Sequence, residues 1–365
     1  MSKAFGQLDS FDLAHLRQFS YVGEDLHRSC IQEVLNVLID DTLPESTNSL
    51  LSQLLGFLCA FVAFVVSCVC RDNHTSMEGN IPQFGAMVVV VFLVVCHFFL
   101  TRVSDRKAQE KGQNTALYIF VRYGLSAPST GFLTGVFCYC CGIKSSNVCF
   151  VFCAVQCAFY AMHWCHFFTR CFHELFLQLD LISFVLVFFL LGTMITGNSL
   201  DDTASLVLKG LYGVAAIFVL VQIISVSRLV SSHGRSHMTP SIRLFPVLFY
   251  AALCMFWSSQ SDTAFESHTF FFVQCFIWFF SFMAQQLIVC DIVECVPHLF
   301  SWPLVCLIIC TVNAFLGWID PALMAIFMSF VAFCGDMIYF VMTVLSLHEY
   351  LIQHPETPLS FYRTD

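Results

Sequence analysis

Apolar runs of about twenty residues recur along the whole chain, and about twenty residues is the length a helix needs to cross the hydrocarbon core of a bilayer. Strands of a membrane barrel would instead show segments of about ten residues with alternating polarity, whereas these runs are continuous. The composition agrees. Of 365 residues, 58% are hydrophobic and 11% charged, less than half of the roughly one quarter charged that soluble domains carry. The expected fold class is therefore all-α, a polytopic helical membrane protein. Ten spans are predicted, at about 51–70, 84–101, 127–142, 147–168, 181–197, 204–227, 242–258, 268–290, 300–318 and 322–347. The third has an irregular start, because Pro128, Ser129, Thr130, Gly131 and Gly135 crowd into it; small residues there also permit close helix packing.

Charge sets the orientation. Loops 2–3, 4–5 and 6–7 and the two termini hold Lys3, Arg17, Arg28, Arg102, Arg106, Lys107, Lys111, Arg122, Arg170, Arg228, Arg235, Arg243 and Arg363, whereas the other side keeps Arg71, Lys144 and Lys209. Basic loops stay on the cytosolic side, so both termini and the basic loops are expected in the cytosol or matrix. Asn73-His74-Thr75 is a glycosylation sequon on the opposite side. The net charge of −9 arises mainly from the first fifty residues, which hold eight acids. That polar start predicts no secretory signal peptide, and the first hydrophobic block serves as its own targeting signal. Within residues 1–49, Phe11, Leu13, Leu16 and Phe19, and then Leu26, Cys30, Ile31, Val34, Leu35 and Leu38, fall near helical spacing. They predict a cytosolic lead of short amphipathic helices lying on the membrane or over the first spans. Residues 50–347 form the membrane domain and 348–365 a cytosolic tail.

Twenty cysteines lie mostly inside apolar runs, where a free Cys acts as a small hydrophobe. Cys138, Cys140 and Cys141 have thiols that could hold zinc, but the second pair that a zinc site needs is missing.

One charged stretch, Thr101–Ser126, separates two hydrophobic blocks. It carries Arg102, Arg106, Lys107, Lys111 and Arg122 against Asp105 and Glu110, and from Lys111 to His173 there is neither Asp nor Glu. Such a cluster at a cytosolic membrane face either forms an anion site for a phosphate head group or only sets orientation. His163-Trp164-Cys165-His166 ends the fourth predicted span; these side chains can contact a lipid phosphate or anchor at the interface. Acids in or near the membrane are Asp180, Asp291, Glu294, Asp320 and Asp336. Asp336, flanked by apolar helix on both sides, is the foremost functional candidate, and it could equally hydrogen-bond a neighbouring helix. Asp320-Pro321 reads as the turn that starts the last helix. No Ser/His/Asp order, P-loop or dinucleotide-binding glycine pattern is present. Few polar residues line the spans, which argues against a transporter or channel.

The order and spacing of several segments resemble the eukaryotic choline/ethanolamine phosphotransferases of the CDP-alcohol phosphotransferase family. The lead with Leu13–Val22, Leu26 and Pro44 is similar to that family's entry segment. Tyr160-Ala161-Met162-His163-Trp164 looks like its Tyr-x-Ala-His-Trp ending of the fourth span, shifted by one residue. The last third, from Met283-Ala284-Gln285-Gln286-Leu287-Ile288-Val289 to Val341–His354, is similar in spacing. The family has ten spans and works in the endoplasmic reticulum or Golgi; the mitochondrial inner membrane stays open for this chain.

The resemblance places the family motif D-G-x2-A-R-x8-G-x3-D-x3-D on Thr101–Ser126. Anchored on Ala108, its first Asp becomes Ser104, its Gly Asp105, its Arg Gln109, its second Gly Tyr118, and its last two Asp become Arg122 and Ser126. A further family Asp becomes Thr101, and the His that acts as base becomes Tyr123. In the family those aspartates hold two divalent cations, Mg²⁺ or Mn²⁺, that grip the CDP diphosphate. Here no carboxylates replace them, so the expectation is a pseudoenzyme without a metal cofactor or catalytic residues. It binds membrane phospholipid through Arg106, Lys107, Lys111, Arg122 and His163, and regulates or scaffolds as a homodimer, as a heterodimer with an active paralogue, or in a larger membrane complex. Nucleic acid is not an expected partner. The alternative is an active, divergent transferase that makes phosphatidylcholine or phosphatidylethanolamine from a CDP-alcohol and diacylglycerol.

Overall fold

The structure is a computed structural model that describes residues 47–72, 80–110, 116–140, 145–169, 238–293 and 299–353, with Ile39, Ile143, Cys295 and eight positions within 219–228. Among the described residues the chain is all-helical. Its elements are α1 (Ser49–Asp72), α2 (Asn80–Glu110), α3 (Ala116–Cys140), α4 (Ser145–Thr169), α5 (Met238–Gln260), α6 (Asp262–Ser267), α7 (Thr269–Ile292), α8 (Trp302–Leu316) and α9 (Pro321–Gln353). Six of them, α1, α2, α4, α5, α7 and α9, are long and apolar enough to cross a membrane. This is an integral membrane protein of helical type. α8 is apolar but shorter. The span expected at 181–197, most of the one at 204–227, the amphipathic lead before position 47 (Ile39 apart) and Asn73 lie outside the described residues.

Local chemistry explains the helix ends. Asn48 caps α1, its Oδ1 accepting the backbone N–H of Leu50 at 2.9 Å and of Leu51 at 3.3 Å. Asp320 caps α9 in the same way through Ala322 and Leu323, at 2.7 and 3.2 Å, and Pro321 takes the first helical position, where its missing N–H costs nothing. Gly317 closes α8 with a φ of 65°, a conformation that glycine adopts without a Cβ clash. The Asn313 side chain then bridges both backbone groups of Ile319 at 2.9 Å, fixing the turn between α8 and α9.

The third element departs most from the sequence expectation. The predicted span at 127–142 opens irregularly at Pro128, but α3 is one helix that begins about three turns earlier, at Ala116, and runs through Pro128. Every residue of α3 is buried except Arg122, Phe137 and Cys140, which are half-buried. It packs against α1, α4, α7 and α9. Among the described residues, α3 is the one helix of eighteen or more residues without a stretch apolar enough to count as a membrane span, and its polarity is absorbed internally. Ser126 donates to the Arg122 carbonyl (2.7 Å), Ser129 to Leu125 (2.7 Å), Thr130 to Ser126 (2.8 Å) and Thr134 to Thr130 (2.7 Å), the back-bonding open to hydroxyls inside a helix. Pro128 lacks the N–H that would have reached the Gly124 carbonyl. Gln285 of α7 supplies a donor instead, its Nε2 lying 3.4 Å from that oxygen. A helix can carry an interior proline inside a membrane when a neighbour satisfies the freed carbonyl in this way.

Close approach completes the packing. A Cβ on Gly131 would lie 2.7 Å from Ile277 of α7, and one on Gly135 2.3 Å from the Phe64 ring of α1. Phe132 lies among Phe57, Phe61, Phe64 and Trp278, with ring centroids 5.2–5.9 Å away.

Candidate functional site

The end of α2 and the start of α3 meet through their side chains, and polar and charged residues from both turn toward one another. Ser104 and Asp105 on α2 face Tyr118 and Arg122 on α3. The two α3 residues are four apart and so share one helix face. The Arg122 guanidinium makes a two-pronged ion pair with Asp105: Nε donates to Oδ1, and Nη2 donates to Oδ2 at 2.7 Å. The Tyr118 hydroxyl donates to the same Oδ1 at 2.9 Å. Ser104 donates to the Ser49 carbonyl at 2.8 Å, which ties the start of α1 to the site, and lies 3.2 Å from the Tyr118 hydroxyl. Side-chain exposures of 19% for Arg122 and 14% for Asp105 leave the pair only slightly screened by solvent.

From Arg122 the polar cluster continues across the bundle. The guanidinium stacks over the Tyr123 ring at 4.6 Å, within cation–π range. Tyr123 meets His163 of α4 edge-on at 5.0 Å, and Phe159 lies 4.7 Å from His163 on the other side. One turn further along α4, His166 Nδ1 lies 2.5 Å from Asp291 Oδ2 at the end of α7. Arg243 of α5 is held over Phe167 and Phe168, at 4.7 and 5.1 Å.

Of the predicted site residues, Arg122 and His163 are therefore brought together, through Tyr123. Lys107 is buried and Arg106 half-buried on α2; Lys111 lies outside the described residues. The sequence reading treated Arg122 as a charge available to an outside anion. The structure instead sets its charge against Asp105. Tyr118 and the His166–Asp291 pair also went unrecognised. The spacing of Tyr118 and Arg122 was the one available signal for the first of these; nothing local marks a pair whose members lie 125 positions apart.

Two divalent cations would need several oxygen ligands, most of them carboxylates. The positions the resemblance assigns to the motif offer one, Asp105, and both of its oxygens already accept hydrogen bonds. The hydroxyls of Thr101, Ser104 and Ser126 are donated to backbone carbonyls. Arg122 adds a fixed positive charge in the middle of the group. These residues do not fit a two-metal centre. Among the described residues, no group of three His, Cys, Asp or Glu side chains stands close enough to hold a metal elsewhere; Cys138 is buried and Cys140 half-buried in α3, and Cys141 lies outside those residues.

No family model matches the chain, and no curated protein matches it.

Proposed function

We propose that this protein is a catalytically degenerate relative of the choline/ethanolamine phosphotransferases, a ten-span membrane protein with both termini cytosolic that binds phospholipid and regulates or scaffolds. The observation that carries this reading is the Arg122–Asp105 ion pair. Arg122 stands where the resemblance expects a cation-binding carboxylate, Asp105 stands at the motif's glycine, and a guanidinium there supplies positive charge without a metal. It cannot exchange ligands as a metal would, so it does not support the metal-held diphosphate chemistry of the family. Arg106, Lys107, Lys111, Arg122 and His163 remain the proposed contacts for a lipid phosphate. Arg122 is a secondary contact, since Asp105 already neutralises it. The setting is the endoplasmic reticulum or Golgi, or else the mitochondrial inner membrane, and the assembly is a homodimer, a heterodimer with an active relative, or a larger complex.

One observation favours the active alternative. His163 stands against Tyr123, and Tyr123 occupies the position the resemblance gives to the family's base, so an imidazole is present near that place. A single assay separates the two readings. Purified protein in lipid nanodiscs, given Mg²⁺ or Mn²⁺, diacylglycerol and CDP-choline or CDP-ethanolamine, is expected to release no CMP above background. Metal-dependent CMP release that His163→Ala abolishes would establish the enzyme instead. In parallel, Lys107→Gln with Lys111→Gln is expected to lower the amount of co-purifying anionic phospholipid in a salt-sensitive way. Unchanged lipid with the fold intact would reduce those lysines to orientation signals.

A further inference from the structure

The middle of α9 carries a carboxylate that the Arg122–Asp105 site does not use. Asp336 is 0% exposed and lies near the centre of a 33-residue apolar helix, facing α7 and α3. Two side chains from α7 meet it: Ser281 donates to Oδ2 at 3.2 Å, and Gln285 Nε2 lies 3.4 Å from the same oxygen. Gln285 Nε2 is also 3.1 Å from Ser281 Oγ and 3.4 Å from the Gly124 carbonyl of α3, the one freed by Pro128. On α9 itself, Tyr339 and Thr343 lie one and two turns further on, both buried. Tyr339 is the titratable neighbour. Among the described residues no Lys, Arg or His interacts electrostatically with Asp336; the nearest cation along α3, Arg122, is held by Asp105.

Two oxygens in this cluster have no hydrogen-bond partner among the described residues, Asp336 Oδ1 and Gln285 Oε1. Both are acceptors, both are buried, and they belong to the carboxyl and the amide that already touch through Nε2 and Oδ2. An ionised carboxylate left here would face a large desolvation cost with no counter-charge. One proton on Oδ1 removes every difficulty at once. It neutralises the carboxyl and turns Oδ1 into a donor. Gln285 Oε1 is the acceptor on the adjoining amide, and the two groups then pair as acid and amide, O–H to C=O on one side and N–H to C=O on the other.

We infer that Asp336 and Gln285 form an intramembrane proton-binding site, in which a protonated Asp336 carboxyl pairs with the Gln285 amide and locks α9 and α7 onto the proline-interrupted turn of α3. The bound proton is thus a structural ligand. Unfolding to water at neutral pH releases it, so the lock weakens as pH rises.

Infrared spectroscopy of the full chain reconstituted in a bilayer tests this directly. At neutral pH the protein is expected to show a protonated-carboxyl C=O band, shifted in D₂O and lost in Asp336→Asn. The Asn variant, able to make the same amide-like contacts, should keep the fold but show a flatter dependence of thermal midpoint on pH. Gln285→Leu should retain the band at a displaced frequency, and this carries the test if Asp336→Asn does not fold. Loss of an ionised-carboxylate band in Asp336→Asn, or a band unmoved by Gln285→Leu, would overturn the proposal. So would a midpoint that rises with sodium in the parent but not in Asp336→Asn, because the occupant would then be a metal cation.

Discussion

Asp105→Asn is expected to destabilise the protein more than any other change to a polar side chain where α2 and α3 meet. It keeps the shape of the carboxyl but leaves the Arg122 guanidinium, only 19% exposed, without its counter-charge. Stranding one member of a buried ion pair costs about 3–5 kcal/mol; the modest exposure of both side chains argues for the lower end. The change should appear as a lowered thermal midpoint in nanodiscs and as loss of order where α1, α2 and α3 meet, since Tyr118 and Ser104 share the same network. Removing the charge from both partners, Asp105→Asn with Arg122→Gln, should cost less than the sum of the two single changes, because neither group is then left charged alone. Additive losses would mean that the pair is not coupled, and an unchanged midpoint in Asp105→Asn would show that Arg122 is held by something else.

Gly135→Leu is expected to be comparably damaging for a different reason. The first atom added, the Cβ, falls 2.3 Å from a Phe64 ring carbon, so contact begins inside van der Waals range. Phe64 cannot swing aside, because its 0%-exposed ring is packed by Phe132, Tyr139 and Phe270 at 5.5–5.9 Å. Overpacking of this kind costs roughly 1–3 kcal/mol or more, and here it would also push α3 away from α1 and so disturb the Arg122–Asp105 site. Gly131→Leu against Ile277 should behave similarly at the α7 interface. Gly85→Ala is the control. Nothing lies within 4 Å of its added Cβ, and alanine is the better helix former, so its stability should hold or rise slightly. A Gly135→Leu protein as stable as the Gly85→Ala protein would refute the close α3–α1 packing.

Much of the bundle was legible through hydropathy, including α4 and α7, which are enclosed by other helices yet apolar along their length. α1, α4, α5 and α7 start and end within a few residues of the apolar runs; Asp320-Pro321 marked the start of α9, which continues past the expected end at 347 to Gln353. α3 was misread because its neighbours, not lipid, surround it. A helix enclosed by others can carry Ser, Thr, Gly and Pro at little cost, so its start at Ala116 left no hydropathy signal, and Pro128 resembled a boundary when a glutamine on α7 had already compensated for it. Asp336 was visible as an intramembrane acid, but its partners Ser281 and Gln285 were not, since they lie 55 and 51 positions away. The charged stretch Thr101–Ser126 shows the same limit. Its excess of bases over acids was plain, yet the sign and number of charges could not reveal that Arg122 of α3 turns inward to Asp105 of α2. His97 is a further case: buried mid-span, its ring reaches the Gly56 carbonyl at 2.8 Å, a contact between neighbouring helices that no spacing rule flags.

The central claim is that an arginine–aspartate pair stands where a cation centre would be expected, and Mn²⁺ binding tests it most directly. Titration of the nanodisc-embedded protein, followed by electron paramagnetic resonance, should show no stoichiometric tightly bound Mn²⁺, with the parent and Asp105→Asn proteins behaving alike. One or two Mn²⁺ bound per chain in the parent and released by Asp105→Asn would contradict the account, because Asp105 would then be a metal ligand rather than the counter-ion of Arg122.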